Sequence, residues 1–214
     1  MNPESGPRKR LHPAIKAVAA LAVLAAVGYL FVRSVSDVRA EPYEIASAHL
    51  SGWTLAADTA QDVEDAALSL RPPVELTMNL FRQLFRRQME SLSTPTAAGI
   101  VLALRRELAP GITSTQLLTL ARDTGLDRAR VSPRCVGYRR ASAVGVTRQL
   151  YFVWFSIPEY DAFRRQLARH ATGTYRPEAL SPVMLTAAEP GFDGWQPLVV
   201  DEARDCVSPI TVRE

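Results

Sequence analysis

Two cysteines, Cys135 and Cys206, are the side chains of this sequence best suited to covalent chemistry. An even pair in an oxidising compartment predicts a disulfide, and this one would close a long loop and contribute roughly 4 kcal/mol through chain entropy. Two buried thiols or a redox pair are the alternatives. No Cys-x-x-Cys spacing occurs, which disfavours a thioredoxin-like activity. The sequence therefore predicts a structural Cys135–Cys206 disulfide.

Arginine supplies the positive charge of residues 41–214, which contain nineteen arginines and no lysine. The lack of lysine excludes Schiff-base chemistry and a phosphate-loop lysine in this region. Because a guanidinium holds phosphate and carboxylate groups in a fork, two clusters on predicted helices are candidate anion-binding residues. They are Arg82, Arg86 and Arg87, and Arg164, Arg165 and Arg169. The alternative interpretation of each cluster is a solvated helix face that pairs with nearby acids.

No catalytic or metal-binding motif accompanies these residues. The region has two histidines, His49 and His170, and neither belongs to a His-x-x-x-His pattern, which a metal site on a helix would favour. Gly-x-Ser-x-Gly, Ser-x-x-Lys and glycine-rich phosphate loops are also absent from the sequence,. The acids are interpreted as a helix start (Glu159, Asp161) or a solvated edge (Asp201, Glu202, Asp205). We predict no catalytic, metal-binding or cofactor-binding residue, and an enzyme with an unrecognised site remains an alternative.

An apolar run from Ala14 to Val32 predicts where these residues are located. It has nineteen residues and one charge, Lys16, and as a helix it would be about 28 Å long, close to the roughly 30 Å hydrocarbon core of a bilayer. Basic residues precede the run at positions 8–10, so the positive-inside rule places the N-terminus in the cytoplasm. A signal peptide cleaved near Ala40 is the alternative.

These features divide the chain into four parts. We predict a cytoplasmic basic tail (1–13), a transmembrane signal anchor (14–32), a polar linker (33–42) and a periplasmic domain (43–214). The net charge is +4 in residues 1–40 and −1 in residues 41–214, so the domain carries no nucleic-acid signature. Small residues on one face of the anchor predict a homodimer seam, unless alanine serves there only as an apolar residue; they are Ala19, Ala22 and Ala26.

Hydrophobic periodicity predicts helices in the first part of the domain and strands in the second. The predicted helices are 58–70, 74–92, 95–109 and one from Thr113 or Ser114 to Gly125. In the second helix we expect an inward face of Phe81, Leu84, Phe85, Met89 and Leu92. A capping box of Ser156 and Glu159 predicts a later helix that buries Tyr160, Phe163 and Leu167. The predicted strands are 43–47, 53–57, 134–141, 149–155, 182–187 and 197–203.

The resulting fold class is α+β, with one transmembrane helix followed by a domain that has a helical half (58–125) and a mostly antiparallel sheet half (131–207),. We expect a bacterial inner-membrane protein that acts without catalysis as an interaction or assembly component of the cell envelope. Its partners would be the bilayer and an envelope protein or a second copy. The alternatives are a module that binds a small or polymeric anion through the arginine clusters, and an enzyme.

Overall fold

The computed structural model describes residues 13–57, 66–88, 91–94, 98–143, 146–170, 180–190 and 199–214. Their contacts divide the chain into an N-terminal unit that ends at Glu41 and a main domain from Pro42 to Glu214. The N-terminal unit contains one helix, α1 (Pro13–Ala40). This helix includes residues 33–40, which the sequence had indicated as a polar linker. Among the described residues, we find no helix that combines the length and apolar character needed to cross a membrane, so the signal anchor stays a prediction.

The main domain is built on one sheet of eight described strands in the order β1-β8-β5-β6-β7-β4-β3-β2. Its neighbouring strands are antiparallel except for β1 and β8, which are parallel. The strands are β1 (Tyr43–Ala46), β2 (Thr54–Ala57), β3 (Ala66–Arg71), β4 (Ile100–Leu104), β5 (Ser132–Ala143), β6 (Val146–Ser156), β7 (Val183–Ala188) and β8 (Cys206–Arg213). The further helices are α2 (Val74–Gln88), α3 (Ser114–Asp123), α4 (Pro158–Leu167) and α5 (Glu202–Asp205). The α+β class and the mostly antiparallel sheet are confirmed.

The sheet contains the same order of elements twice. A hairpin, a helix and a third strand form a ββαβ motif in β2-β3-α2-β4 and again in β5-β6-α4-β7. In both motifs the helix begins within three residues of the second strand, and the third strand pairs antiparallel with that strand. The motifs meet where Ile100 of β4 pairs with Met184 of β7. Helices α2 and α4 therefore occupy equivalent positions in the topology.

The connection between β1 and β2 shows that this sheet is strongly curved. The two strands form opposite edges, and seven strand spacings would place the edges of a flat sheet roughly 34 Å apart. The chain from Ala46 to Thr54 contains the 3-10 turn Ser47–Leu50 and can span only about 22 Å. Register shifts in several strand pairs provide the bending that this closure needs. The two strands were predicted correctly, but β1 pairs with β8 and β2 pairs with β3.

Two of the predicted helices are wrong. Residues 66–71 form β3 and residues 100–104 form β4, while 58–65 and 95–97 lie outside the described residues. All of 66–70 and 100–104 are buried, so these short apolar runs face protein on both sides of the sheet and lack the alternation that identifies a strand. The predicted separation into a helical half and a sheet half is wrong for the same reason.

The end of the chain also differs from the prediction. Residues 199–201 are irregular, α5 follows at Glu202, and the last strand begins only at Cys206 rather than at 197. The strand predicted at 182–187 is confirmed as β7, and the strands predicted at 134–141 and 149–155 are confirmed as the hairpin of β5 and β6. The second arm of this hairpin is central in the sheet, with Leu150 to Val153 and Phe155 buried.

Three helices pack their apolar faces into the main core. Helix α3 begins with a reciprocal capping box between Thr113 and Gln116, and Gly125 follows it with φ 82°, as expected for a glycine that ends a helix. Helix α4 buries Tyr160, Phe163 and Leu167 as predicted. It does not begin with the predicted capping box, because Ser156 is the last residue of β6, where it pairs with Ser132.

The inward face of α2 is rotated from the predicted one. Its buried residues are Leu76, Leu80 and Leu84, whereas Phe81 is only partly buried and Phe85 is 52% exposed. Leu84 and the later Leu92 are confirmed as buried, and the predicted Met89 lies outside the described residues. The predicted stripe therefore mixed residues from two different faces of the helix.

Candidate functional site

The predicted disulfide is present between Cys135 of β5 and Cys206, the first residue of β8. The two Cα atoms are 5.7 Å apart, and the bond joins residues separated by 71 positions. Since β5 and β8 are neighbouring strands, the disulfide connects the first arm of the long hairpin to the last strand. Both cysteines are therefore used structurally, and neither is a free thiol.

Beside the disulfide lies a buried carboxylate that the sequence had indicated as part of a solvated edge. Asp205 is 3% exposed and accepts hydrogen bonds from Nε of Arg204 at 2.8 Å and Nε of Arg139 at 3.3 Å. The backbone N–H of Asp201 donates a third at 2.9 Å. The Arg204 hydrogen bond, supported by Arg139 and opposed by burial, holds the pKa of Asp205 well below its usual range. Asp205 is therefore an internal anion that anchors α5 to β5.

The second arginine cluster, on α4, is divided by the fold. Arg164 is 3% exposed and lies in the core beside the fully buried Glu107. Its Nη1 donates to Oε2 of Glu107 at 2.8 Å and to the carbonyl of Leu102 at 2.7 Å. Arg165 and Arg169 point into solvent instead. Leu102 belongs to β4 of the first ββαβ motif, and Glu107 lies just after that strand. Arg164 belongs to α4 of the second motif, so the buried ion pair joins the two motifs.

The first cluster, on α2, is also divided, but it leaves two arginines accessible. Arg82 and Arg86 are exposed. Arg87 lies against β1 instead, where its guanidinium is 4.1 Å from the ring centroid of Tyr43 and Nη2 donates to the carbonyl of Pro42 at 2.9 Å. The positive charge of Arg87 is attracted to the face of the Tyr43 ring, and this cation–π attraction is stronger where water is partly excluded. Burial raises the pKa of Tyr43, and the charge of Arg87 opposes that rise.

Helix α2 is fastened to the start of the main domain by a second contact. The side-chain amide of Gln83 accepts from the backbone N–H of Glu44 at 3.0 Å and donates to the carbonyl of the same residue at 2.6 Å. Gln83 thereby satisfies backbone groups of β1, an edge strand that would otherwise offer them to another chain. The carboxylate of Glu44 pairs with Arg213 of β8.

An exposed apolar stripe on α2 was missed by the sequence interpretation. Val74 is 71% exposed, Met78 39% and Phe85 52%, and the partly buried ring of Phe81 lies 6.1 Å from that of Phe85. The signal in the sequence is the spacing i, i+4, i+7 and i+11, which places the four residues on one face of a helix. Arg82 and Arg86 directly follow two of these residues in the chain.

Residues that the structure describes also form two open grooves. One, of about 280 Å³, runs along α3 and is lined by Ile112, Thr115, Gln116, Leu120, Asp123 and His170. The other, of about 300 Å³, lies where β6 meets α4, and in it the guanidinium of Arg134 is 5.1 Å from the ring of Trp154. Arg134 also pairs with Glu202 at 3.0 Å.

The two histidines of the main domain lie in different elements. His49 lies in the 3-10 turn after β1, and His170 ends the turn after α4. Among the residues that the structure describes, no group of three or more histidine, cysteine or acidic side chains is arranged to hold a metal ion.

Comparisons with family models, with curated proteins and with solved structures found no match to this chain.

Proposed function

We propose that this chain is a single-pass protein of a bacterial inner membrane whose main domain lies in the periplasm and acts by binding, as an interaction or assembly component of the cell envelope. One observation carries the proposal. Nine large apolar side chains between Val18 and Val32 are 58–68% exposed on helix α1. Keeping them in water would cost on the order of 10 kcal/mol, so this helix needs an apolar environment.

The sequence around this helix supports a membrane as that environment. The apolar run Ala14–Val32 has the length of a bilayer core,, and the basic residues at positions 8–10 favour a cytoplasmic N-terminus. A second copy could cover only one face, at Ala19, Ala22 and Ala26, whereas every residue from Val18 to Val32 is exposed. The bilayer therefore accounts for the exposure of residues 18–32 on all sides of the helix, and a homodimer seam would be an addition to it.

The disulfide supports a periplasmic location independently of the helix. Disulfides persist in oxidising compartments such as the periplasm and are rare in the cytosol. The Cys135–Cys206 bond belongs to the main domain, so the domain and the basic N-terminus are expected on opposite sides of the membrane.

The structural role of the buried charged residues supports binding rather than catalysis. The buried charged residues Glu107, Arg164 and Asp205 form ion pairs that join elements of the fold. Among the described residues, α2 leaves two arginines and a stripe of apolar side chains exposed. The alternative of an anion-binding module is thereby narrowed to the exposed arginines of the two clusters, because Glu107 already neutralises Arg164 and Arg87 lies against Tyr43. The exposed arginines are Arg82, Arg86, Arg165 and Arg169.

Carbonate extraction and intact-mass spectrometry of the native chain test this proposal. We expect the chain to remain in the membrane pellet at alkaline pH. Its mass should be that of the full sequence, apart from Met1, and no cysteine should be alkylated before reduction. Release by carbonate, or a mass that begins near Glu41, would contradict the anchor. Two cysteines that react without reduction would contradict the periplasmic location.

A further inference from the structure

We infer that the exposed face of α2 is a docking surface for an anionic lipid bilayer. The surface consists of the apolar stripe Val74, Met78, Phe81 and Phe85 together with Arg82 and Arg86. This inference rests on the proposed function, because a domain tethered to a membrane meets the bilayer surface at high local concentration. It goes further by naming the face of the domain and the chemistry of the partner.

The geometry of α2 is that of a helix at a membrane interface. At 100° per residue the four apolar side chains fall within an arc of about 60°, and the core-facing residues Leu76, Leu80 and Leu84 lie on a different arc. Measured around the helix axis, Arg82 lies about 70° and Arg86 about 110° from the centre of the stripe. Helices that lie in the headgroup region combine such an apolar face with basic residues beside it.

The charge beside the stripe selects an anionic surface. Arg82 and Arg86 share their flank with one acid, Glu75, which lies in the first turn of α2 and about 10 Å along the axis from Arg82. The flank therefore has a net charge of about +1, concentrated at the C-terminal half. A long arginine side chain can place its stem against apolar surface while its guanidinium meets headgroup phosphates.

The size of the stripe favours lipid over a protein partner. Its four side chains leave roughly 300–400 Å² of apolar surface open, whereas a stable protein interface takes about 800 Å² of total surface from each partner, of which about 450 Å² is apolar. A bilayer needs no matching surface of its own, since aromatic and aliphatic side chains enter the headgroup boundary individually.

The attachment of α2 to β1 puts this surface close to the tether. Arg87 donates to the carbonyl of Pro42, and Gln83 is bonded to Glu44, so the C-terminal half of α2 is fixed to the first three residues of the main domain. Residues 33–41 separate these residues from the end of the apolar run, and 33–40 belong to helix α1. The C-terminal half of the surface is therefore attached to the residues of the main domain that directly follow the N-terminal unit in the chain.

Site-specific fluorescence in vesicles tests the inference with the full chain. Phe85→Cys and, separately, Met78→Cys would carry an environment-sensitive fluorophore, and Thr119→Cys on the exposed side of α3 is the control position. The native cysteines are joined to each other and do not take the label under non-reducing conditions. The chain would be reconstituted into phosphatidylcholine vesicles with or without phosphatidylglycerol and with a quencher attached to the lipid chains.

We expect at least about twofold stronger quenching at positions 78 and 85 than at 119 in anionic vesicles, because only the stripe enters the interface. Replacing both arginines by glutamine (Arg82→Gln and Arg86→Gln) should weaken the contact by about 25-fold, about fivefold for each. The matched control, Arg122→Gln with Arg165→Gln, should leave it unchanged. Equal quenching at all three positions would overturn the inference. It would also be overturned if the labels at 78 and 85 were shielded only in chains that crosslink to a second copy or to another protein.

Flotation of the same samples separates this inference from the proposed anchor. A chain that floats with the vesicles, resists carbonate and shows no quenching at 78 or 85 would keep the anchor and overturn the docking surface. A chain that floats, is stripped by carbonate and is quenched at both positions would contradict the anchor and keep the docking surface. A chain that does not float would contradict both.

Discussion

Helices α2 and α4 occupy equivalent positions in the two ββαβ motifs, and each carries arginines at neighbouring turns, yet the fold uses them in opposite ways. On α4, Arg164 is in the core with Glu107, and the surrounding face is buried. On α2, Arg82 and Arg86 are in solvent beside exposed apolar side chains. One helix therefore holds the two motifs together, and the other leaves an apolar stripe and two arginines exposed.

This contrast shows that residue type and spacing alone do not determine the structural role of an arginine cluster. Its role depends on whether an arginine falls within the apolar stripe of its helix and whether a buried acid meets it there. Arg164 lies between Phe163 and Leu167 on the buried face, and Glu107, in the 3-10 turn after β4, supplies the opposite charge. Arg82 and Arg86 lie outside the buried stripe of α2. Substitutions on the two helices test this difference.

The largest effect is expected from breaking the buried ion pair. Arg164→Ala should lower the free energy of unfolding by about 3–5 kcal/mol, because it leaves the carboxylate of Glu107 buried without its partner. The equivalent change on the other helix, Arg82→Ala, should change it by less than about 0.5 kcal/mol. Denaturant unfolding of both variants measures the difference.

A double variant sharpens that test. Replacing both members of the pair by leucine (Glu107→Leu and Arg164→Leu) should restore most of the stability, because two apolar side chains need no charge compensation. Equal stability losses for Arg164→Ala and Arg82→Ala would show that the two arginines are not in different environments.

The two ββαβ motifs also differ in covalent support, since only the second is bonded to β8. Replacing both cysteines by serine should lower the free energy of unfolding by about 3–4 kcal/mol. Hydrogen exchange should show the greatest loss of protection in β5 and β8, and a smaller loss in β2 and β3. A uniform loss throughout the sheet would indicate that the disulfide stabilises the domain only as a whole.

The buried and exposed stripes of α2 can be compared at two adjacent residues. Leu84→Ala should cost about 3 kcal/mol, because it opens a cavity under a fully buried side chain,. Phe85→Ala should cost less than about 1 kcal/mol, since half of its side chain is already in solvent,. Thermal or denaturant unfolding measures both values. A large loss at Phe85 would mean that its ring is needed for the fold, and its place in a docking surface would then be in doubt.

The smallest effect is expected at Asp205, whose ion pairs join α5 to the sheet. Its pKa is lowered in the folded chain from the ordinary value of 3.8, so the stabilisation is complete above that pH and is lost as the pH falls towards the folded value. Asp205→Asn should cost about 2 kcal/mol at pH 7. Unfolding measured between pH 7 and pH 2 should show a weaker acid dependence for the variant. Parallel curves for the variant and the natural chain would rule out this role.

Some elements could be predicted because their local signals agree with their tertiary surroundings. Helices α2 and α3, the hairpin β5–β6 and the disulfide have strong periodicity, caps or a compartment argument behind them. Strands β3 and β4 could not be predicted in the same way, because a short apolar run buried on both faces resembles a buried helical segment. Their partners are brought together only by the complete sheet.

The candidate surface was predicted in part. Arg82 and Arg86 were identified from their type and spacing, but the rotation of α2 about its axis was not, so Phe85 was assigned to the core. The burial of Arg164 had a signal that was overlooked: it is four residues after Tyr160 and three before Leu167, within the predicted apolar stripe. Its acceptor, Glu107, is 57 positions away, and no local pattern connects the two.

Chemical modification of arginines compares the two helices most directly. The folded full chain in anionic vesicles would be treated with phenylglyoxal, and the modified peptides quantified by mass spectrometry. Without lipid, Arg82 and Arg86 should react at the rate of the exposed Arg122, and Arg164 should stay unmodified until the chain is unfolded. With anionic vesicles, Arg82 and Arg86 should become protected while Arg122 continues to react. Modification of Arg164 at the rate of Arg82 in the folded chain, or no protection of Arg82 and Arg86 by lipid, would contradict this account.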